Sequence, residues 1–177
     1  MRIEFAVLLL VLLMAGALLF GCVTPSGNAT PTPTPEVTPA ANETPAEVAP
    51  FAAREGLSGA RSGVIWLRAD AVLSGVQGAC DADGKSAVWE YSFDSLAAGQ
   101  GYVVSVPGGA RSLRDAPYSF RQALPSEWAD STAAAAACDM GSGDFSLEMR
   151  GGSPVWTVIS GGTVCEVNAT SGQRIGG

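Results

Sequence analysis

The sequence predicts an α+β domain, with two short helices packed on antiparallel β-sheet, carried behind a membrane-targeting leader. Alternating apolar and polar residues between glycine-containing turns predict strands. Two segments with apolar residues at helical spacing predict helices. A proline-rich stretch separates these elements from an apolar N-terminus. The 177 residues therefore divide into a leader over 1–22, a linker over 23–50 and a domain over 51–177.

The leader has the composition of an export signal or a membrane anchor. An unbroken apolar run of sixteen residues extends from Phe5 to Phe20, which is long for a signal core and short for a membrane span of about 20 residues. The segment Leu19-Phe20-Gly21-Cys22, where this run ends, resembles a lipobox. That resemblance implies cleavage before Cys22 and lipid modification of its thiol. The alternative is an uncleaved transmembrane helix, and in both cases we expect the protein to be anchored outside the cytoplasm.

The linker is dominated by proline and threonine. Seven of the eleven prolines lie between Val23 and Pro50. Because proline lacks a backbone donor and fixes φ, we expect a disordered, partly extended spacer; an unstructured leader without a spacing role is the alternative. Two Asn-x-Thr sequons begin at Asn28 and Asn42, and a third begins at Asn168 in the domain. All three asparagines are candidates for glycosylation.

The domain contains two predicted helices. The first runs from about Ala69 to Cys80, with Val72 and Val76 at helical spacing. The second runs over 131–138, where Asp130 or Ser131 can cap five consecutive alanines. Strands are predicted over 87–93, 102–106, 145–150, 154–159 and 163–167. The stretch 111–115 is expected to be a solvated loop.

The two halves of the domain resemble each other. Asp70 and Asp130 are 60 residues apart, and Cys80 and Cys138 are 58 apart. A strand containing tryptophan follows each cysteine. This pattern predicts a duplicated helix-plus-hairpin unit, with halves over about 62–107 and 125–177.

The second half resembles a PepSY-type domain. The matching segments are Asp130-Ser131 at the helix start, Pro154-Val155-Trp156-Thr157-Val158 in a strand, and the turn over 167–172. The first half resembles a looser copy through Asp70 and the segment 89–93. The resemblance implies an extracytoplasmic, non-catalytic module for which peptidase inhibition or protein binding is proposed, and it carries over no catalytic residue.

Three cysteines remain once Cys22 is assigned to lipid: Cys80, Cys138 and Cys165. In an oxidising exterior two of them are expected to pair. Cys80–Cys138 is the first expectation, because both residues end predicted helices. Cys138–Cys165 is the second, and three reduced thiols packed as small apolar side chains are the alternative.

Composition argues against several functional classes. The domain has 13 acidic and 9 basic residues, a net charge of −4, which is unsuited to nucleic acid. Histidine is absent from the chain, so the usual proton-transfer side chain is missing. Scattered cysteines and an Asp81-Ala82-Asp83-Gly84 turn without further ligands predict no metal site and no cofactor.

These observations together predict a membrane-anchored binding module rather than an enzyme. The expected partner is a protein or peptide, with a secreted peptidase as one possibility. A structural envelope protein with a glycosylated stalk and a small-ligand sensor are the alternatives. Exposure of Trp66, Tyr118 and Trp128 as a cluster would favour binding.

Overall fold

The structure is a computed structural model that describes residues 48–108 and 110–175. Within these residues, two helices and eight strands follow one another. In order they are α1 (Ala53–Ile65), β1 (Val72–Cys80), β2 (Val88–Ser95), β3 (Gln100–Pro107), β4 (Ser112–Pro117), α2 (Ser131–Cys138), β5 (Gly143–Arg150), β6 (Ser153–Ser160), β7 (Thr163–Asn168) and β8 (Gln173–Ile175).

The eight strands form one antiparallel sheet in the order β4-β3-β2-β1-β5-β6-β7-β8. Each half of the domain is a helix followed by a four-stranded meander, and the two meanders join through β1 and β5. Helix α1 packs on β2 and β3, while α2 packs on β6, β7 and β8. Both helices therefore cover the same face of the sheet, each over its own half.

The predicted α+β class is wrong. The domain is mostly sheet, with 46% strand against 17% helix. The repeated unit is a helix with four strands rather than a helix with one hairpin. Part of the additional strand content comes from the short strands β4 and β8, which lie at the two edges of the sheet. The predicted solvated loop over 111–115 lies largely within β4.

The predicted helix from Ala69 to Cys80 is wrong, because this segment forms β1. The register with β2 shifts between Leu73 and Gly75. This bulge places Leu73 and Val76, three residues apart, on the same buried face, and Cys80 follows four residues later. An irregular strand thus presents the apolar spacing of a helix.

The missed helix α1 carries few sequence signals. Its N-cap, Ala52, makes no side-chain capping bond, and the helix contains three glycines, at positions 56, 59 and 63. One of these glycines is required by packing, since a Cβ at Gly56 would lie 2.4 Å from the hydroxyl oxygen of Tyr91. That hydroxyl donates to the carbonyl of Ala53 at 2.6 Å, so the helix is held close to the sheet.

The N-termini of the two helices meet at Asp130. Its Oδ1 accepts hydrogen bonds from the backbone N–H of Ser131 at 2.8 Å and of Arg54 at 3.0 Å. The backbone N–H of Ala53 donates to the Ser131 hydroxyl at 3.1 Å. First-turn N–H groups lack partners within their own helix, and helix N-termini carry partial positive charge. One carboxylate therefore satisfies donors from both helices and offsets both dipoles.

Two tryptophans beneath the helices also bond the chain near the two helix N-termini. The indole N–H of Trp89 donates to the carbonyl of Phe51 at 2.8 Å, and that of Trp156 donates to the carbonyl of Ala129 at 2.7 Å. Each acceptor lies two residues before the first residue of a helix. The rings are fully buried and meet edge to face, 6.1 Å apart. A Cβ at Gly78 would lie 2.8 Å from the Trp89 ring, so glycine makes room for it.

We predict that Asp130→Ala lowers the free energy of unfolding by about 2 kcal/mol, because a lost N-cap bond costs about 1 kcal/mol and Asp130 caps two helices. Urea unfolding of the wild-type and variant domains measures the difference. Asp139→Asn is the control. It removes an exposed acidic charge at the other end of α2, at a left-handed position that asparagine tolerates. Equal losses in the two variants would contradict a specific role for Asp130.

Candidate functional site

Among the described residues, both helices lie on one face of the sheet, and the other face carries no helical layer. We call it the open face. Part of it is covered by the connection from β4 to α2. The backbone N–H and the hydroxyl of Ser119 bond the Asp94 carboxylate on β2, and Arg121 lies next to Gly75 on β1 and Glu148 on β5. Since these strand positions alternate with core residues, the connection crosses the open face at the end where β1 begins.

An ion pair covers the part of the open face that lies over β6. The Arg150 guanidinium on β5 binds the Glu166 carboxylate on β7 at 2.6 Å. Since β6 lies between these strands, the pair must cross over it. Register puts Arg150 beside Ser153 and Glu166 beside Thr157, so the pair lies across Val155, which is buried. An apolar side chain on this face is thereby covered without a helix.

The other end of the open face carries a row of four apolar residues and one acidic residue that crosses five strands. Ala79 pairs with Asp144, Asp144 with Ile159, and Ile159 with Val164. The β1–β2 register, continued two residues past Gln77 and Glu90, brings Val88 beside Ala79. We call these five residues the cross-strand row: Val88, Ala79, Asp144, Ile159 and Val164. At about 4.8 Å between strands, the row spans about 19 Å.

Four residues of the cross-strand row, Val88, Ala79, Asp144 and Ile159, line a shallow groove of about 610 Å³, and Val164 lies next to Ile159 on the neighbouring strand. Val88 and Ile159 are each 44% exposed, and Val164 is 55% exposed. Gln77, Glu90 and Ser146 form the polar border of the groove. Neighbouring apolar side chains thus remain accessible on a rigid sheet, an arrangement typical of contact surfaces.

The two carboxylates of the groove differ in their environment. The Glu90 carboxylate accepts from Gln77 at 2.8 Å, from Ser105 at 3.2 Å and from Arg114 at 3.4 Å. These hydrogen bonds, led by that from Gln77, lower the pKa of Glu90 against the opposing effect of burial. Asp144 is exposed, and its carboxylate has no hydrogen bond or ion pair within the part of the chain that the structure describes. Asp144 is therefore the carboxylate available to a ligand.

Acidic residues surround this end of the sheet. Asp81 and Asp83 lie in the turn after β1, and Asp139 precedes β5, where the chain returns to the same end. All three are exposed, and Lys85 is the one base in the turn between β1 and β2. The groove itself is lined by Asp144 and Glu90, and none of its lining residues is basic, so it is suited to a positively charged group.

The three aromatics expected to mark a binding surface do not form a cluster. Trp128 is 3% exposed and packs edge to face on Trp156, 5.8 Å between centroids. Trp66 is 88% exposed, directly after α1. Tyr118 is partly exposed and contacts Phe120, which is 87% exposed with φ of 57°. Singly exposed apolar residues are common, whereas the cross-strand row is contiguous by register.

Sequence reasoning missed the cross-strand row, although a signal was present. Val88, Ile159 and Val164 occupy positions that alternate with core residues, where a one-sided sheet usually carries polar side chains. Their alignment depends on which strands are neighbours. The β1–β5 pairing that joins the halves could not be inferred from the hairpins alone.

The structure pairs Cys138 with Cys165 and leaves Cys80 buried and free. The first expectation, Cys80–Cys138, is wrong because Cys80 ends a strand rather than a helix. The second expectation is confirmed, and the disulfide ties the end of α2 to β7. Burial, with a smaller effect of Asp81 and Asp144, raises the pKa of Cys80 to about 12.

The segments that resemble a PepSY-type domain lie at structural positions. Asp130 caps α2, and Trp156 lies in the core on β6. Asn168 accepts from the backbone N–H groups of Thr170 and Ser171 at 2.8 and 3.1 Å. The sequon asparagine therefore stabilises its own turn. Cys22, Asn28 and Asn42 lie outside the described residues.

Comparison with known proteins gives no assignment: no family model, curated protein or solved structure matches the chain. In the described ranges, no cluster of three or more potential metal ligands is present. No helix there has the length and hydropathy to span a bilayer.

We predict that peptide mapping without reduction recovers Cys138 linked to Cys165. Cys80 should react with iodoacetamide at pH 8 only after unfolding, because its thiol is buried and protonated. Cys165→Ser should lower the free energy of unfolding by about 3 kcal/mol, since the disulfide closes a loop between residues 27 positions apart. Cys80→Ala is the control that removes a thiol without opening a loop. Alkylation of three thiols in the native domain would contradict the pairing.

Proposed function

We propose that this chain is a membrane-anchored, extracytoplasmic, non-catalytic binding protein whose domain holds a protein or peptide partner on its open face. The accessible groove along the cross-strand row carries this proposal. Shape and exposure at the groove favour a macromolecular contact, because a strip about 19 Å long on a shallow surface offers little enclosure to a small molecule.

The anchoring part of the proposal rests on the leader and on the disulfide. Structural disulfides persist mainly in oxidising compartments, and the domain contains one. The apolar run before Cys22 and the resemblance to a lipobox supply the membrane attachment. The PepSY-type resemblance of the second half supports a binding role and makes a secreted peptidase one class of partner.

The binding role can be tested by photo-crosslinking in the protein's own membrane. Benzoylphenylalanine replaces Ile159 in the cross-strand row or Ala136, which is exposed on α2 at the opposite face. We expect a protein adduct of defined mass from position 159 and none from position 136. No adduct from any position along the row, or the same adducts from both faces, would contradict the proposal and favour a structural role.

The anchoring role can be tested by mass spectrometry of the mature chain. We expect the N-terminal peptide to begin at Cys22 and to carry a diacylglyceryl group. Cys22→Ala should abolish processing and lipid attachment. An intact peptide beginning at Met1 would exclude the lipoprotein form and leave the transmembrane alternative, while release of the chain in soluble form would exclude anchoring altogether.

A further inference from the structure

We propose that the cross-strand row binds an apolar segment of a partner protein that carries an arginine or lysine opposite Asp144. This inference rests on the proposed binding function and specifies the partner. The row places apolar side chains on both sides of one exposed carboxylate, Asp144. A matching segment would therefore have a basic side chain flanked by apolar ones.

The negative charge on this surface favours an occupant that carries a basic side chain. Asp144 has no ion-pair partner among the described residues, and the exposed Asp81, Asp83 and Asp139 lie at the same end of the sheet. Asp144 also lies next to apolar side chains, where a carboxylate loses hydration when the groove is covered. An apolar occupant without a base would bury that charge unpaired. A basic residue in the occupant offsets this cost.

The chain's own N-terminal segment is a poor occupant. No lysine or arginine occurs over residues 3–53, whereas Glu36, Glu43 and Glu47 occur in the linker. A linker folded back on the groove would bring like charges together. The only base before Arg54 is Arg2. Arg2 lies in the leader, which cleavage before Cys22 would remove.

A second copy of the chain is also disfavoured. The bases on the open face, Arg114, Arg121 and Arg150, already lie in ion pairs with carboxylates of the same face. An isologous contact through the row would place two copies of the same acidic end against each other. A separate partner therefore fits the charges better than self-association.

Fluorescence polarisation with synthetic peptides tests this proposal on the full-length chain in detergent. The probe is the end-blocked peptide Ala-Val-Ile-Arg-Ile-Val-Ala, whose seven extended residues span about 23 Å. Two matched probes replace the arginine by citrulline, which is neutral and similar in shape, or by glutamate. We expect affinity to fall from arginine to citrulline by about three- to fivefold, as for a partly exposed ion pair, and further for glutamate.

Charge-reversal variants distinguish a specific ion pair at Asp144 from nonspecific binding of the peptides. Asp144→Lys should reverse the order of the arginine and glutamate peptides, while Asp83→Asn, which removes an acid outside the row, should preserve it. Val88→Ser should weaken all three peptides, and Val72→Ser is its matched control. Val72 is 45% exposed against 44% for Val88 and lies on the open face outside the row. All four positions are exposed on the surface, and thermal unfolding confirms that each variant is folded.

Equal affinity for the three peptides, or no reversal in Asp144→Lys, would overturn the proposal. Concentration-dependent dimerisation that Val88→Ser abolishes would also overturn it, by assigning the row to a second copy. The proposed binding function is tested by a different experiment, so the two proposals can be rejected independently. A cross-linked partner at position 159 together with equal peptide affinities would keep the binding function and reject the basic segment.

Discussion

The structure depends on the convergence of two helix N-termini above the middle of the sheet. Two positive helix ends at close range repel each other, and their first N–H groups need acceptors. The Asp130 carboxylate bonds donors from both helices, and Ser131 supplies a further acceptor. From this point the helices diverge over separate halves, and the tryptophans beneath them bond the chain just before each helix. Because both helices lie on one face of the sheet, the opposite face is left to other interactions.

The open face is covered in two different ways outside the cross-strand row. At one end the chain between β4 and α2 lies across it, and Ser119 bonds Asp94 there. Over β6, the pair of Arg150 and Glu166 lies across Val155. Neither device reaches the cross-strand row, where valine and isoleucine side chains remain about half exposed. Because the same sheet has covered apolar residues elsewhere, this exposure is local, and it indicates where a contact surface is to be sought.

The sequence predicts the regular hairpins well and the irregular elements poorly. Strands around Trp89 and Trp156 follow a clean two-residue alternation, and α2 has a cap and five alanines, so both types of element were predictable. The β1 bulge produced a false helical spacing, whereas the N-cap residue of α1 has no capping side chain of its own and the helix contains Gly56, which packing against Tyr91 requires. Helix α1 is therefore specified mainly by its contacts with the sheet, which the local sequence does not show. The cross-strand row was hidden for a similar reason, since strand order decides which residues of different hairpins become neighbours.

The junction between the halves has a consequence for function. Val88 and Ala79 belong to the first meander, whereas Asp144, Ile159 and Val164 belong to the second. The ladder between β1 and β5 places Ala79 directly beside Asp144. Neither half alone carries the full row, and a register slip of one residue would turn Asp144 toward the core and Phe145 toward solvent. The contact surface is therefore created by joining two similar units, and the packing that fixes their register, Trp89 against Trp156 under the paired helix ends, also fixes the position of the exposed carboxylate.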